Sequence, residues 1–230
     1  PKKIINEIIE KDCIQSGNSD ILNPLPSLSS DLLKKAILFN SKFNPKSNFI
    51  LFNSSIVARK NLDNLIFNFM SSDLPNNGYK LCIAGKLHRN EYCEYIKEIS
   101  KPHSSIHLLG YVNEIDKAWL YLNADAFVSP SLTEGFGIPA LDACSLGMQT
   151  LLSKIPSHEE IYKKIKNNSK IELIPTNDNE LWIKNMNLIL NKNNELDKNE
   201  QENRLISYEK NIKYLSDEFK NVITDAIIQK

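Results

Sequence analysis

The sequence predicts an α/β domain with a doubly wound, mostly parallel β-sheet, followed by C-terminal helices. Three observations favour this fold class. Six short apolar segments recur between residues 48 and 174 and alternate with longer amphipathic segments. The apolar segments lack a polar face, as strands covered on both sides do. The chain has 230 residues, 41% of them hydrophobic and 24% charged, which is enough to bury a sizeable core.

Each element is predicted from its local pattern. The strands are the short apolar runs at 48–53, 79–84, 105–109, 124–128, 149–153 and 170–174. The helices between them have apolar residues at helical spacing and are expected at 62–71, 89–100, 114–123, 139–146 and 156–166. Such alternation implies right-handed β-α-β units and therefore parallel strands.

The two flanks of this region differ from it in composition. Isoleucines at helical spacing predict a helix at residues 2–11, and a Ser- and Asn-rich stretch follows, with one short helix expected at 31–39. After residue 178 the pattern is helical, with helices expected at 179–190, 195–206 and 208–228. We therefore divide the chain into the end of a preceding domain with a connector, the α/β domain and C-terminal helices, with boundaries at 1–47, 48–190 and 191–230.

Charge and composition exclude several function classes. The 28 Lys and Arg residues balance 28 Asp and Glu residues, so we expect no nucleic-acid binding through bulk charge. No apolar run approaches the roughly 20 residues that span a bilayer. The sequence shows no signal-peptide pattern, and its four cysteines form no C-x-x-C pair. We therefore expect free thiols and a cytoplasmic location.

The segment after the fourth predicted strand carries the strongest functional signal. It reads Glu134-Gly135-Phe136-Gly137-Ile138-Pro139, with Asp142 close behind. Glycines let a ligand approach the main chain, and proline suits the first turn of a helix, whose free N–H groups attract phosphate. A carboxylate beside this turn can accept hydrogen bonds from sugar hydroxyls. A Gly-x-Gly on its own is more typical of an ordinary strand-to-helix turn.

The match extends well beyond the two glycines. Residues 134–143 resemble the donor-binding motif Glu-Gly-Phe-Gly-x-Pro-x-x-Glu-Ala of retaining glycosyltransferases with two Rossmann-like domains, the GT-B fold, and most closely family 4. Only Asp142 departs from this motif, where the family has Glu. Further segments similar to the family lie at 59–62, 83–85, 109–112, 123–131 and 153–161.

The resemblance implies a reaction and a donor site. The reaction would be glycosyl transfer from a nucleoside diphosphate sugar with retained configuration, with residues 48–190 binding the donor. Glu134 would contact hydroxyls of the donor sugar and Lys60 would neutralise the diphosphate, both as catalytic residues. Asp142 would bind the ribose, although its side chain is one methylene shorter than Glu. The remaining donor-binding positions implied are Gly85, Tyr111, Val112, Gly135, Phe136, Gly137 and Ile138.

The cationic part of the motif departs from the family. An Arg normally precedes the Lys by five residues, and this chain has Ser55 there, which can hydrogen-bond a phosphate without neutralising it. Arg59 is a substitute candidate, although adjacent residues usually point in different directions. Taken alone, Arg59 and Lys60 are typical of a solvated helix start. The resemblance implies no cofactor and no metal ion, because Lys60 and the helix dipole would stabilise the leaving group.

The resemblance also sets expectations about partners. The donor is a nucleotide sugar, and the acceptor is undetermined between a glycan, a lipid-linked glycan and a small molecule. The family places the acceptor site on an N-terminal domain, and any peripheral contact with the inner face of a membrane would be made through that domain. We expect the fragment alone to bind donor weakly and to turn over little.

Other interpretations stay open at this point. Ser54, Ser55 and Asp142 also suit an inactive sugar-nucleotide-binding or scaffolding domain with a degenerate site. The Phe136 and Pro139 motif argues against a nucleotide-sugar epimerase, and a helix start beside the carboxylates argues against a glycoside hydrolase. Some residues receive no functional role. His103 and His107 are expected at the surface or in the core, and His158 at the surface at the start of a helix. Trp119 and Trp182 are expected in the core, and Cys144 lacks an activating partner.

Overall fold

The structure is a computed structural model that describes residues 25–165, 168–191 and 198–228. The helix expected at 2–11 lies outside these ranges. The strands are β1 Phe49–Asn53, β2 Lys80–Ala84, β3 Ile106–Gly110, β4 Ala126–Ser129, β5 Gln149–Ser153 and β6 Ile171–Ile174. The helices are α1 Ser30–Ile37, α2 Leu62–Ser71, α3 Glu91–Ser100, α4 Glu114–Asn123, α5 Ile138–Ser145, α6 Pro156–Lys164, α7 Asn179–Asn187 and α8 Lys198–Ile228.

The six strands form one parallel sheet with the order β3-β2-β1-β4-β5-β6. The chain builds outward from β1 to β3, crosses to β4 beside β1, and then builds outward to β6. Ligands of such sheets bind in the crevice beyond the carboxyl ends of the strands, where the order reverses. The predicted doubly wound fold is confirmed, and the loops after β1 and β4 flank the switch point.

The sheet is covered on both faces because alternate residues of its strands point to opposite sides. Leu51 and Phe127 belong to a core shared with α1, α4, α5 and α8, and Trp119 of α4 lies in it at 7% exposure. Ile50 belongs to a second core shared with α2, α3 and α7, and Trp182 of α7 is fully buried there. Both tryptophans are core residues, as predicted.

Helix α1 attaches the segment before β1 to the domain. Ser29 caps the helix by accepting a hydrogen bond on Oγ from the Leu32 N–H at 3.2 Å. Leu33 and Ala36 are fully buried in the first core. The described part of the expected connector therefore packs on the domain, while the boundary at residue 47 stays a prediction.

Helix α8 is one continuous helix where the sequence predicted two. Arg204, Tyr208, Asn211 and Leu215 follow one another at a spacing of three to four residues, and all four are buried. A single buried stripe of this length favours an unbroken helix over α4 and α5. Neither α8 nor any other helix within the described ranges has the length and hydropathy needed to cross a bilayer.

The buried face of α8 bonds to the ends of two neighbouring helices. The Arg204 guanidinium donates to the carbonyl oxygens of Tyr121 and Ala124, at 2.8 and 2.9 Å, where α4 ends. The Asn211 amide donates to the Ser145 carbonyl oxygen, at 3.0 Å, where α5 ends. These bonds satisfy carbonyls that have no partner inside their own helices.

Candidate functional site

The loop after β1 is tied to the loop after β4. Residues Ala58–Lys60 form a 3₁₀ turn that ends at Asn61, a left-handed residue with φ of 57°. The Leu132 N–H donates to the Arg59 carbonyl at 2.8 Å, and the Asn61 amide donates to the Pro130 carbonyl at 3.3 Å. The two loops that flank the switch point are therefore held together across the sheet.

Glu134 lies where these loops meet. Lys60 Nζ and Ser131 Oγ both donate to its Oε1, the serine at 2.7 Å. Arg59 Nη1 donates to Oε2 at 3.2 Å and to the Thr133 carbonyl at 3.0 Å. The side chains of Lys60 and Glu134 are 3% and 8% exposed. Two cations thus face one carboxylate, which leaves one surplus positive charge.

Burial and charge act in opposite directions on this cluster. Burial raises the pKa of Glu134, but Lys60, the Ser131 hydroxyl and Arg59 together lower it below the usual value. Burial is the largest influence on the pKa of Lys60 and lowers it, while Glu134 opposes that shift. Several hydrogen-bond donors converge on the Glu134 carboxylate. The lowered pKa of Glu134 therefore decides the protonation state of the Lys60–Glu134 pair. At neutral pH, Glu134 is ionised and accepts hydrogen bonds.

Helix α5 begins immediately beyond Glu134. Gly137 caps it in a left-handed conformation with φ of 71°, and Pro139 lies within its first turn. The first N–H groups of a helix lack intrahelical partners, and the helix dipole favours an anion beside them. A Cβ atom on Gly135 would meet nothing within 4 Å, whereas one on Gly137 would meet His158 and Ile161 at 3.3 Å. The turn is open on one side and closely packed on the other.

The loops after β2 and β3 end at the same edge of the sheet. A Cβ atom on Gly85 would lie 1.7 Å from the Ser54 carbonyl oxygen, so the backbones of two loops touch where only glycine fits. The Gly85 N–H donates to the Gly110 carbonyl at 2.8 Å. Tyr111 is 76% exposed and Val112 is buried. These loops supply an exposed aromatic ring and a closely packed backbone at the same edge of the sheet as the switch point.

A family model with the description "Glycosyl transferases group 1" matches residues 34–212, which is more than half of the chain. The chain belongs to the group 1 glycosyl transferases. This membership confirms the predicted glycosyltransferase at the level of the family.

Two relatives of this glycosyl transferase chain are mannosyltransferases of Escherichia coli. The serotype-specific mannosyltransferase WbdA is 32% identical over 126 residues, which are 52% of this chain and 15% of that protein. The O-antigen chain mannosyltransferase B is 45% identical over 56 residues, which are 24% of this chain and 15% of that protein. The matched regions therefore span only a small part of both relatives.

Solved structures of glycosyltransferases share the fold. Sucrose-phosphate synthase from Thermosynechococcus elongatus has a TM-score of 0.64 at 14% identity, covering 96% of this chain and 56% of that chain. WaaG, a glycosyltransferase involved in lipopolysaccharide biosynthesis, has a TM-score of 0.58 at 18% identity, covering 80% of this chain and 51% of that chain. At these identities the likeness establishes the fold alone.

The structure of this group 1 chain brings some of the predicted site residues together. Arg59, Lys60 and Glu134 are in direct contact, although adjacent residues were expected to point apart. Arg59 and Lys60 lie in the 3₁₀ turn, from which both cations reach one carboxylate. Ser55 lies two residues beyond β1 and is partly exposed. Phe136 and Ile138 are exposed, at 41% and 36%.

The carboxylate of Asp142 is engaged in hydrogen bonds inside the protein. The residue is 1% exposed. Ser27 donates to it from the backbone N–H at 2.6 Å and from Oγ at 2.5 Å, and the Leu28 N–H lies at 3.4 Å. Burial raises the pKa of Asp142 and the bonds from Ser27 oppose that rise. Direct contact with a ribose would have to displace Ser27, and it stays a prediction.

The expected surface position of His158 is wrong. This third residue of α6 is fully buried, with Nδ1 2.9 Å from the Ser153 carbonyl oxygen, so Nδ1 carries the hydrogen. Burial lowers its pKa, which favours the neutral ring. The ring is buried because it packs beneath Gly137, where a side chain would collide with it.

Two serines of this site were missed in the sequence. Ser131 bonds to Glu134, and its position three residues before the glutamate is the only local signal for that contact. Ser27 is 115 residues from Asp142, and no local pattern connects them. Cys144 was left without a role, and burial raises the pKa of its thiol to about 12, which suits an inert core residue.

Proposed function

We propose that this chain is the donor-binding half of an enzyme that transfers a glycosyl group from a nucleoside diphosphate sugar with retained configuration. One observation carries the proposal: Arg59, Lys60 and Glu134 meet at the switch point of the sheet, beside the start of α5. This position is where doubly wound sheets bind ligands.

The cations and the helix start suit a diphosphate. Lys60 and Arg59 supply two positive charges, and the start of α5 adds unpaired N–H groups and the positive end of its dipole. Arg59 supplies the positive charge that Ser55, at the position of the family's arginine, does not carry. As the bond from the anomeric carbon to the diphosphate oxygen breaks, negative charge grows on the leaving group. Cations at this point lower the barrier without a metal ion.

Glu134 suits the sugar. Its carboxylate is ionised at neutral pH and accepts hydrogen bonds only, which matches sugar hydroxyls as donors. In the structure it pairs with Lys60 and Arg59. When the diphosphate binds, the cations turn to the phosphate oxygens and the carboxylate accepts from the sugar. Donor binding therefore exchanges one set of charge-assisted bonds for another.

The names of the relatives suggest an acceptor class. Mannosyltransferases and an O-antigen mannosyltransferase match in sequence. We propose a glycan of a surface polysaccharide as acceptor, bound by a preceding domain, and mannose as the first donor sugar to test.

A second candidate function is supported by two specific observations. Ser55 stands where a cation is expected, and the carboxylate of Asp142 is engaged by Ser27. Both suit a domain that binds a sugar nucleotide without transferring it.

Calorimetric titration with UDP-sugars and GDP-sugars, mannose donors included, tests the donor site. In the complete protein, Glu134→Ala and Lys60→Ala should each lower the transfer rate by about 100-fold or more, because each removes a charge that acts at the reacting centre. Lys97→Ala and Glu94→Ala are the matched controls, since that pair is an exposed ion pair on α3, and both should keep wild-type rates.

The outcomes separate the two candidates. Binding of at least one nucleotide sugar, with loss of transfer in both site variants, supports the enzyme. Binding without transfer by the complete wild-type protein supports the inactive domain. No response to any nucleotide sugar contradicts both.

A further inference from the structure

We infer that Ser27 contacts the ribose of the donor nucleotide and that Asp142 positions it, an assignment that rests on the proposed function. The motif that this segment resembles would place a carboxylate directly on the ribose. In this chain a serine stands over that carboxylate.

The contact between Ser27 and Asp142 is extensive. Both carboxylate oxygens of Asp142 accept hydrogen bonds from Ser27, from the N–H at 2.6 Å and from Oγ at 2.5 Å. The Leu28 carbonyl on the far side accepts from the Tyr208 hydroxyl of α8. Asp142 and Tyr208 are both buried, whereas Ser27 is exposed. The exposed group at this position is therefore the serine and not the carboxylate.

The hydroxyl of Ser27 keeps the capacity to bind a ribose. Its hydrogen is donated to Asp142, so its oxygen is free to accept. Lys117 Nζ donates to that oxygen at 3.4 Å, which leaves a second lone pair. A bond to a carboxylate polarises the hydroxyl and strengthens it as an acceptor. A ribose hydroxyl can donate to this oxygen as it would to a carboxylate.

The position along the helix also suits a ribose. Gly137 caps α5 where the diphosphate is proposed to bind, and Asp142 lies about one turn further into the helix. The ribose is directly bonded to the diphosphate, so it lies within reach of that turn. Asp is shorter than Glu by one methylene, and the exposed Ser27 covers both of its carboxylate oxygens.

The test compares nucleoside diphosphates with their 2′-deoxy and 3′-deoxy analogues by calorimetry. The full chain should bind the ribonucleotide about 3- to 10-fold more tightly than at least one deoxy analogue, as one hydrogen bond contributes. Ser27→Ala should reduce that ratio to about 1, and Ser27→Thr should preserve it because the hydroxyl remains. Asp142→Asn should also reduce the ratio, since the serine loses its orientation.

Ser29→Ala is the matched control. It removes a hydroxyl two residues away that caps α1, so it should lower stability and leave the ratio unchanged. A purely structural role of Asp142 would weaken all the nucleotides equally and would overturn the assignment. So would a wild-type ratio of 1, or a normal ratio in Ser27→Ala with a lost ratio in Asp142→Asn, which would mean direct contact by the carboxylate. Absence of any nucleotide binding by the wild-type chain would instead contradict the proposed function itself.

Discussion

Glu134 is an ionised group held in the interior by its neighbours. Lys60, Ser131 and Arg59 all donate to it, and its side chain is 8% exposed. A buried carboxylate is costly unless its oxygens are paired, and here both are. The cluster is consequently stable only while the carboxylate keeps its charge.

This charge predicts a pH dependence of stability. Glu134→Gln should lower the free energy of unfolding at pH 7 by about 2–4 kcal/mol, because it leaves two cations without their counterion. The pKa of Glu134 in the folded protein lies below the reference value of 4.5. Its stabilisation is therefore complete above about pH 4.5 and is lost as pH falls through the folded pKa. The melting temperatures of the two proteins should converge on acidification.

Thermal melts between pH 7 and pH 3 measure this difference. Comparing the two proteins cancels the contribution of other carboxyl groups, such as Asp142 and Asp125, whose pKa values burial raises. Glu94→Gln, which removes an exposed partner of Lys97, should melt within about a degree of wild type throughout. A gap that persists unchanged at pH 3 would contradict the assigned pKa direction.

For single residues, the sequence predicts which residues form the site better than it predicts where their side chains point. Glu134 and Lys60 follow from the motif and lie together. The approach of Arg59 to the same carboxylate depends on the 3₁₀ turn that contains it and on the loop that carries Glu134, which no local pattern predicts. The partner of Asp142 depends on how a segment 115 residues away folds back.

Helix α5 begins after a single residue with a left-handed backbone conformation. Gly137 turns the chain from the loop into the helix at φ of 71°, with His158 and Ile161 packed against the side where a Cβ atom would lie. Its neighbour Gly135 faces open space. The two glycines of this motif are therefore needed for different physical reasons, Gly137 for the backbone conformation and close packing of the turn and Gly135 for the open space beside it.

Exchanging each glycine for alanine should separate these reasons. Gly137→Ala should lower the free energy of unfolding by about 1–3 kcal/mol, because the conformation is strained and the methyl group collides with His158 and Ile161. Gly135→Ala should melt like wild type, since its methyl group meets nothing, yet weaken nucleotide-sugar binding by occupying the open side of the turn. Denaturant melts and titrations of both variants measure this, and a destabilised Gly135→Ala would refute the distinction.

Elements were predicted well where periodicity alone determines them. The strand expected at 149–153 is β5 itself, and the others lie within two residues of their predicted bounds. The break expected near residue 207 failed because Arg204 and Tyr208 continue one buried stripe. Tertiary burial, which a local pattern does not contain, decides such cases.

One sheet contributes side chains to both hydrophobic cores of the domain. Leu51 packs on one face and Ile50, its neighbour in β1, on the other. Each core contains one of the two tryptophans of the chain, Trp119 and Trp182. Because the same strands supply both cores, neither can unfold without the other.

Fluorescence of single-tryptophan variants tests this coupling. Trp182→Phe reports on the first core and Trp119→Phe on the second. In each variant, the transition seen by the remaining tryptophan should have the same denaturant midpoint as the far-ultraviolet circular dichroism. Leu51→Ala should move both signals together, by about 2–5 kcal/mol. Separate midpoints for the two signals in either variant would show that the two faces unfold independently.

The strand order leaves β3 and β6 with one neighbour each in the described sheet. The exposed edge of a sheet is a template to which strands of other chains can add, which leads to aggregation. Strand β6 has only four residues and exposes Glu172 at its centre, and a short, charged flank pairs poorly with a passing chain. The shortness of β6 and its exposed carboxylate together disfavour cross-β assembly at this edge of the sheet.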